Sequence, residues 1–167
     1  LQLIAKLGVA MTPQFFIQML TAPAQQSMAA TNIPASFVIA DAALESGWGG
    51  SQLTQAAMNL FGVKADPSWT GPTYAIQTRE FLKGHWVMEP ALFRKYSTWL
   101  ASLNDHAQFL ITNPRYAPAF ACTDGPSFAN AVAAANYATD PLYGQKIGEI
   151  IAQHGLQALD VIPPATV

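Results

Sequence analysis

The sequence predicts an α+β domain, mainly α: a helical lobe with one small β-hairpin lobe inserted mid-chain and lining a cleft. Three observations carry this. Apolar residues recur three and four apart through most of the chain, the spacing of a buried helical face. Between Val63 and Tyr96 that period is lost, and Pro67, Gly71, Pro72 and Gly84 punctuate a stretch rich in β-formers. Hydrophobic residues make up 51% of the 167 and charged residues only 11%, which excludes disorder and supports one domain with a real core.

Taken in order, Thr12-Pro13 opens a short helix as N-cap and first position, offering Phe15, Phe16, Met19 and Leu20 to a core. Thr21-Ala-Pro23 repeats that signal, so the first helix is expected to break there and a second to run to about Asn32. Pro34 supplies the first position of a central helix whose buried face is Phe37, Ala40, Ala43 and Leu44, and Gly47 suits the left-handed residue that ends it. Ser51 caps a helix from Gln52 to about Asn59, closed by Gly62. Thr73 to Leu82 alternates, Lys83-Gly84 turns, and His85 to Met88 returns, which reads as a hairpin. Ser97 or Thr98 starts a helix through Trp99, Leu103, His106 and Leu110 that ends before Pro114. Gly125-Pro126-Ser127 opens another, Phe128 to about Asn136, and Asp140-Pro141 opens the last, stopped by Gly155. Residues 1–10 read as an N-terminal extension or remnant, 11–160 as a single domain with its β lobe at about 63–96, and 161–167 as a tail.

Composition removes several classes. A net charge of −2 is no footprint for nucleic acid. The lone Cys122 excludes an internal disulfide and a Cys-based zinc site, and His85, His106 and His154 are not spaced as metal ligands, so no metal or other cofactor is expected. No apolar run reaches membrane-span length, and Leu1 to Ala10, with Lys6 inside it, is too short and wrongly ordered for a complete signal peptide. A monomer is expected.

The chemistry centres on Glu45. It falls in the last turn of the central helix, where the negative end of the helix dipole opposes ionisation, and Trp48 just beyond is expected to wall it with apolar surface. Both effects favour a carboxyl that keeps its proton near neutral pH, as a general acid must. The bland alternative is a solvated charge at a helix end, yet helix ends favour cations, so the sign here is costly. A general acid often works with a second carboxyl, as in glycosidic hydrolysis. Asp41 lies four residues earlier on a similar helical face and is either that group or a structural hydrogen-bonder; Glu80 sits on the hairpin beside Arg79. Asp140 reads as an N-cap, and Glu149 and Asp160 as surface or tail charges. Trp48, Trp69, Tyr74 and Trp86 fall on or beside the expected cleft, where aromatic planes bury the apolar faces of sugars. Tyr137 precedes a helix start and can turn its hydroxyl into the cleft, whereas His106, among apolar residues on a helix, reads as a satisfied structural histidine.

An ordered series of blocks then resembles the glucosaminidases of glycoside hydrolase family 73, the peptidoglycan hydrolases of autolysins, flagellar-rod hydrolases and phage lysins. It comprises Ala43-Leu-Glu-Ser-Gly-Trp-Gly49, Asn59-Leu-Phe-Gly62, Thr78-Arg-Glu80, Phe93-Arg-Lys-Tyr-Ser97, Asp105-His106, Asn113-Pro-Arg-Tyr116 and Tyr137-Ala-Thr-Asp-Pro141. The first block alone is weak, since lytic transglycosylases carry a similar one; the full series spans about Phe15 to Ile151. The resemblance implies a lysozyme-like fold and cleavage of the β-1,4 bond after N-acetylglucosamine in the peptidoglycan glycan strand. It implies Glu45 as general acid, Glu80 as the second acid and Tyr137 as the tyrosine near the cleaved sugar, with Trp48, Asn59, Phe61, Trp69 and Tyr74 expected to bind substrate. Either Glu80 activates water or the substrate's acetamido group assists. The rivals are a muramidase or lytic transglycosylase cutting the alternate bond, and a non-catalytic peptidoglycan-binding or assembly module. Work at the bacterial cell envelope follows from the resemblance, by a secreted protein or a phage lysin. The family often has Gly where this chain has Asn136, and Asn tolerates the left-handed conformation best after Gly.

Overall fold

The computed structural model describes residues 11–82 and 84–161, with no side-chain account over 78–83. Helix α1, Pro13–Thr31, is one continuous element rather than two. Thr12 caps it, accepting from the Phe15 N–H at 3.2 Å, and Asn32 closes it with φ 59°. Pro23 lies inside. An interior proline costs about 3 kcal/mol. The buried stripe Phe16, Leu20, Ala24, Ser27 and Met28 continues across it, and each large apolar side chain in such a stripe is worth about 1.5–3 kcal/mol. Packing therefore outweighs the break signal, although Met19, at the margin of the stripe, is exposed.

Helix α2, Ala35–Ser46, is buried everywhere except Leu44 and Glu45. Pro34 stands at its N-cap, one residue earlier than expected, and Gly47 ends it at φ 57° as predicted. Asp160 is no free tail charge. Its carboxylate accepts from the Ser36 N–H (2.8 Å), the Ser36 hydroxyl (2.6 Å) and the Gly125 N–H (3.3 Å), so it satisfies orphan donors at the starts of two helices. Gly125 is required there, because a Cβ would stand 2.1 Å from Ser36 Oγ.

Helix α3, Gln52–Ala57, is capped by Ser51 and stops earlier than predicted, with Met58 left-handed at φ 54°. Strands β1, Thr73–Leu82, and β2, His85–Arg94, pair antiparallel from Thr73↔Arg94 to Leu82↔His85, so the hairpin is longer on its return arm than the alternation suggested. Its root is tied down by Arg94, whose Nη1 donates to both carboxylate oxygens of Asp105 at 2.8 and 2.9 Å and whose Nη2 reaches Asp66. Trp86, Met88 and Leu92 are exposed along β2.

Helix α4, Trp99–Thr112, starts at the Thr98 cap, and a 3₁₀ segment, Pro114–Ala121, follows that the local sequence signals do not predict. Asp124 caps α5, Gly125–Ala134, and α6, Tyr143–His154, begins three residues beyond Asp140 and ends at Gly155. A second 3₁₀ turn, Leu156–Leu159, closes the described chain. Helix α2 runs through the middle, packed by α1, α5, α6 and this last turn, with Phe16, Ile33, Phe37, Ile39, Leu103, Phe128 and Ile147 among the fully buried core. The helical lobe with its inserted hairpin is as predicted. Among the described residues no helix is long and apolar enough to cross a membrane.

Candidate active site

The end of α2 brings Glu45 to the rim of a pocket of about 490 Å³ lined also by Phe61, Val63, His106, Phe109, Tyr137, Ala138 and Thr139. The turn that stops α2 is built by Ser46, whose hydroxyl donates to the Ala42 carbonyl and accepts from the Gly49 N–H at 2.8 Å. Gly47, Trp48 and Gly49 all have positive φ, a strained state for tryptophan that costs on the order of 1–3 kcal/mol. Packing holds it: the Trp48 ring meets Phe16 edge-on at 5.9 Å and His154 at 4.9 Å.

Much of Glu45 is open to the pocket, yet the protein around its carboxyl removes enough water to hold its pKa above the ordinary value. Desolvation is the cause, and the apolar wall beside it is made by Phe61, Val63 and Phe109. Trp48 is not in that wall.

One helical turn earlier, Asp41 is completely buried. Tyr143 donates its hydroxyl to Asp41 Oδ1 at 2.8 Å, and Tyr137 donates to Oδ2 at 3.1 Å. Tyr137 Oη also lies 2.7 Å from His106 Nε2, which is itself 3.6 Å from Asp41 Oδ2. Burial pushes the Asp41 carboxyl up to about 7; the Tyr143 hydrogen bond pulls against this and the charge of Glu45 adds to it. Burial pushes His106 down to about 3, so its imidazole is neutral. Tyr137 is held well above the ordinary phenol range, first by burial and then by Asp41 and Glu45, and stays protonated. Asn136 takes the left-handed conformation at φ 57°, as its place before Tyr137 suggested.

The other expected site residues divide. Phe61 lines the pocket and stacks on His106 at 4.0 Å. Asn59 is buried as a structural clamp, donating through Nδ2 to the carbonyls of Val63 (3.0 Å) and Arg94 (2.9 Å) and accepting from the Val63 N–H. Trp69 lies in a separate pocket of about 410 Å³ with Lys95 and Tyr96, under the Arg94 guanidinium at 4.7 Å. The Tyr74 hydroxyl accepts from Gln52 Nε2 at 3.3 Å and lines neither pocket. Glu80 is on β1 opposite Val87, and its side chain lies outside the described residues. The pocket therefore gathers Glu45, Tyr137 and Phe61 and leaves Trp48, Asn59, Trp69 and Tyr74 outside it. His106 has the buried, hydrogen-bonded character expected of it, but it also faces the pocket. Its spacing to Phe109 on α4 was the available signal. Asp41 is the hydrogen-bonder of its two readings.

Among the described residues the lining of this open pocket comes from α2, α4 and residues 61–63 and 137–139, with none from the hairpin. A protonated tyrosine and an acid with suppressed ionisation on its wall, with a buried carboxyl behind the tyrosine, make a site suited to proton donation onto a neutral substrate. The family profile of the glucosaminidases, described as mannosyl-glycoprotein endo-beta-N-acetylglucosaminidase, matches residues 21–156. The peptidoglycan hydrolase FlgJ of Escherichia coli K12 is 39% identical over 142 residues, covering 83% of this chain and 45% of that protein. The exo-glucosaminidase LytG of Bacillus subtilis is 36% identical over 157 residues, covering 91% of this chain and 55% of that protein. The glycoside hydrolase domain of Salmonella typhimurium FlgJ superposes with a TM-score of 0.77 at 37% identity, over 86% of this chain and 98% of that one. This chain belongs to the glucosaminidase family, glycoside hydrolase family 73, and has its lysozyme-like fold. It spans about half the length of the curated relatives it matches.

Proposed function

We propose that this chain hydrolyses peptidoglycan at the β-1,4 bond following N-acetylglucosamine, acting on the bacterial cell wall from the envelope, after secretion or as a phage lysin. The observation that carries this reading is Glu45, an acid held above its ordinary pKa at the rim of a pocket shared with Tyr137. Glu45 gives its proton to the bridging oxygen as the bond from that oxygen to the sugar C1 breaks. Positive charge then develops at C1. It is met either by the acetamido oxygen of the same sugar or by water that loses a proton to Glu80, and addition of water completes hydrolysis. Phe61 and Phe109 suit the apolar face of the sugar ring. The relatives, a peptidoglycan hydrolase and an exo-glucosaminidase, support the same substrate class. The protein works as a monomer, with the glycan strand as its partner and no cofactor.

Mass spectrometry of muropeptides released from purified walls tests the bond. Reducing-end N-acetylglucosamine is expected. Reducing-end or anhydro-muramic acid overturns the choice in favour of a muramidase or lytic transglycosylase. Wall binding with no loss of turbidity would instead mark a non-catalytic module. A Glu80→Gln variant losing as much activity as Glu45→Gln identifies Glu80 as the base, and a milder loss identifies acetamido assistance.

A further inference from the structure

Asp41 is buried behind the site and cannot touch a glycan, yet it is joined to the pocket wall by a single hydroxyl. Tyr137 Oη has one hydrogen and two protein partners, Asp41 Oδ2 at 3.1 Å and His106 Nε2 at 2.7 Å. When Asp41 is a carboxylate, Tyr143 and Tyr137 both donate to it, and Tyr137 accepts from His106 Nε2–H. Tyr137, which lines the pocket, then has no hydrogen left to offer a ligand. When Asp41 carries a proton on Oδ2 and His106 keeps its hydrogen on Nε2, both donate to Tyr137 Oη, and the tyrosine hydrogen is left free for a third partner. Tyr143 continues to donate to Oδ1 in both states.

We infer that Asp41 is a positioning residue: by holding or releasing one proton it decides whether Tyr137 offers a bound sugar a hydrogen or only an acceptor oxygen. The inference rests on the reading of this pocket as the site for N-acetylglucosamine. The acetamido carbonyl of that sugar is an acceptor, so the form with Asp41 protonated is the one that holds it. The groups facing Asp41 are few. Glu45 lies one turn along α2, His106 comes from α4, Tyr137 from the segment after α5, and Tyr143 from α6. The remaining titratable groups of α6 face elsewhere: Lys146 pairs with Asp140, Glu149 accepts from Gln145, and His154 packs on Trp48. Helices α1 and α5 and the Leu156–Leu159 turn, which also pack on α2, carry no titratable side chain. Asp41 is the one group in this cluster whose charge changes near neutral pH while it touches Tyr137.

The test uses the Glu45→Gln protein, which binds without turnover, and a β-1,4-linked N-acetylglucosamine tetrasaccharide as probe. Calorimetric titration between pH 5 and 9, in buffers of different ionisation heat, counts protons taken up on binding. Glu45→Gln removes a neighbouring charge, so the Asp41 range moves somewhat below its present place, while burial, the larger cause, keeps it above an ordinary aspartate. Uptake rising toward about one proton per sugar is expected across that range, with affinity falling about tenfold per pH unit above it. Adding Asp41→Asn, whose amide donates to Tyr137 at every pH, should abolish uptake and flatten the affinity. Adding Tyr137→Phe should also abolish uptake, with weaker binding at all pH values. A parent that binds sugar with no proton uptake overturns the inference, as does uptake that persists in the Asp41→Asn protein. Wall lysis by Glu45→Gln at the wild-type rate overturns the functional reading instead.

Discussion

Replacing Asp41 by Asn should change how stability depends on pH. The folded protein keeps a proton on Asp41 up to about pH 7, whereas an unfolded aspartate releases it near 3.8. Between those values the folded state binds more protons, so stability falls as pH rises and levels off above about 7. The interval is about 3 pH units, and at 1.36 kcal/mol each it is worth at most about 4 kcal/mol. For a domain of this size that is a melting shift of about 8–16 °C. The asparagine amide keeps the shape, accepts from Tyr143 and donates to Tyr137, without a charge to bury. Thermal unfolding at intervals from pH 4 to 8 should show the wild type losing stability relative to the Asp41→Asn variant, with the gap opening through pH 4–7. Parallel curves would refute the reasoning, because they would mean that Asp41 ionises in the folded state as freely as in the unfolded chain.

Glu45→Gln should cut wall lysis by at least about 100-fold, the lower range for loss of a general acid, while the melting temperature stays equal or rises, measured by turbidity and calorimetry. Because its folded pKa is raised, the lytic rate of the wild type should fall on the alkaline side as Glu45 loses its proton, above the range of an ordinary glutamate. Trp48→Ala should lower the melting temperature but leave tetrasaccharide affinity unchanged, whereas Phe61→Ala should weaken that affinity; equal losses of binding would place Trp48 back in the substrate site. Asp160→Ala removes three hydrogen bonds across two helix starts. At about 1 kcal/mol for each, it should lower the melting midpoint by several degrees while kcat of the folded protein stays constant.

The helical lobe, the hairpin and the position of Glu45 were legible in the sequence because each rests on local rules. Thr12 and Ser51 cap by side-chain reach, Gly47 ends α2 because it adopts φ 57° at no steric cost, and alternation marks β1. Pro23 is the counter-case. Its local signal says stop, but the apolar stripe from Phe16 to Met28 is buried by α2 and α4, and long-range packing is the larger energy. The site divides along the same line. Spacing along one helix put Asp41 and Glu45 one turn apart, yet which carboxyl meets a pocket and which meets tyrosines depends on partners far along the chain. Tyr137 and Tyr143 lie 96 and 102 residues from Asp41. Trp48, Trp69 and Tyr74 have the composition of a sugar platform, but composition does not say which way a ring turns. Phe16 and His154 took the first, Arg94 and Tyr96 the second, and Gln52 the third. What the sequence alone determined was the central helix, the hairpin, most of the other helices and where the acid stands, but not the continuity of α1 or the 3₁₀ segment Pro114–Ala121. Tertiary structure decided which side chains surround that acid, because burial and hydrogen bonding are settled by residues distant in sequence that no local period records.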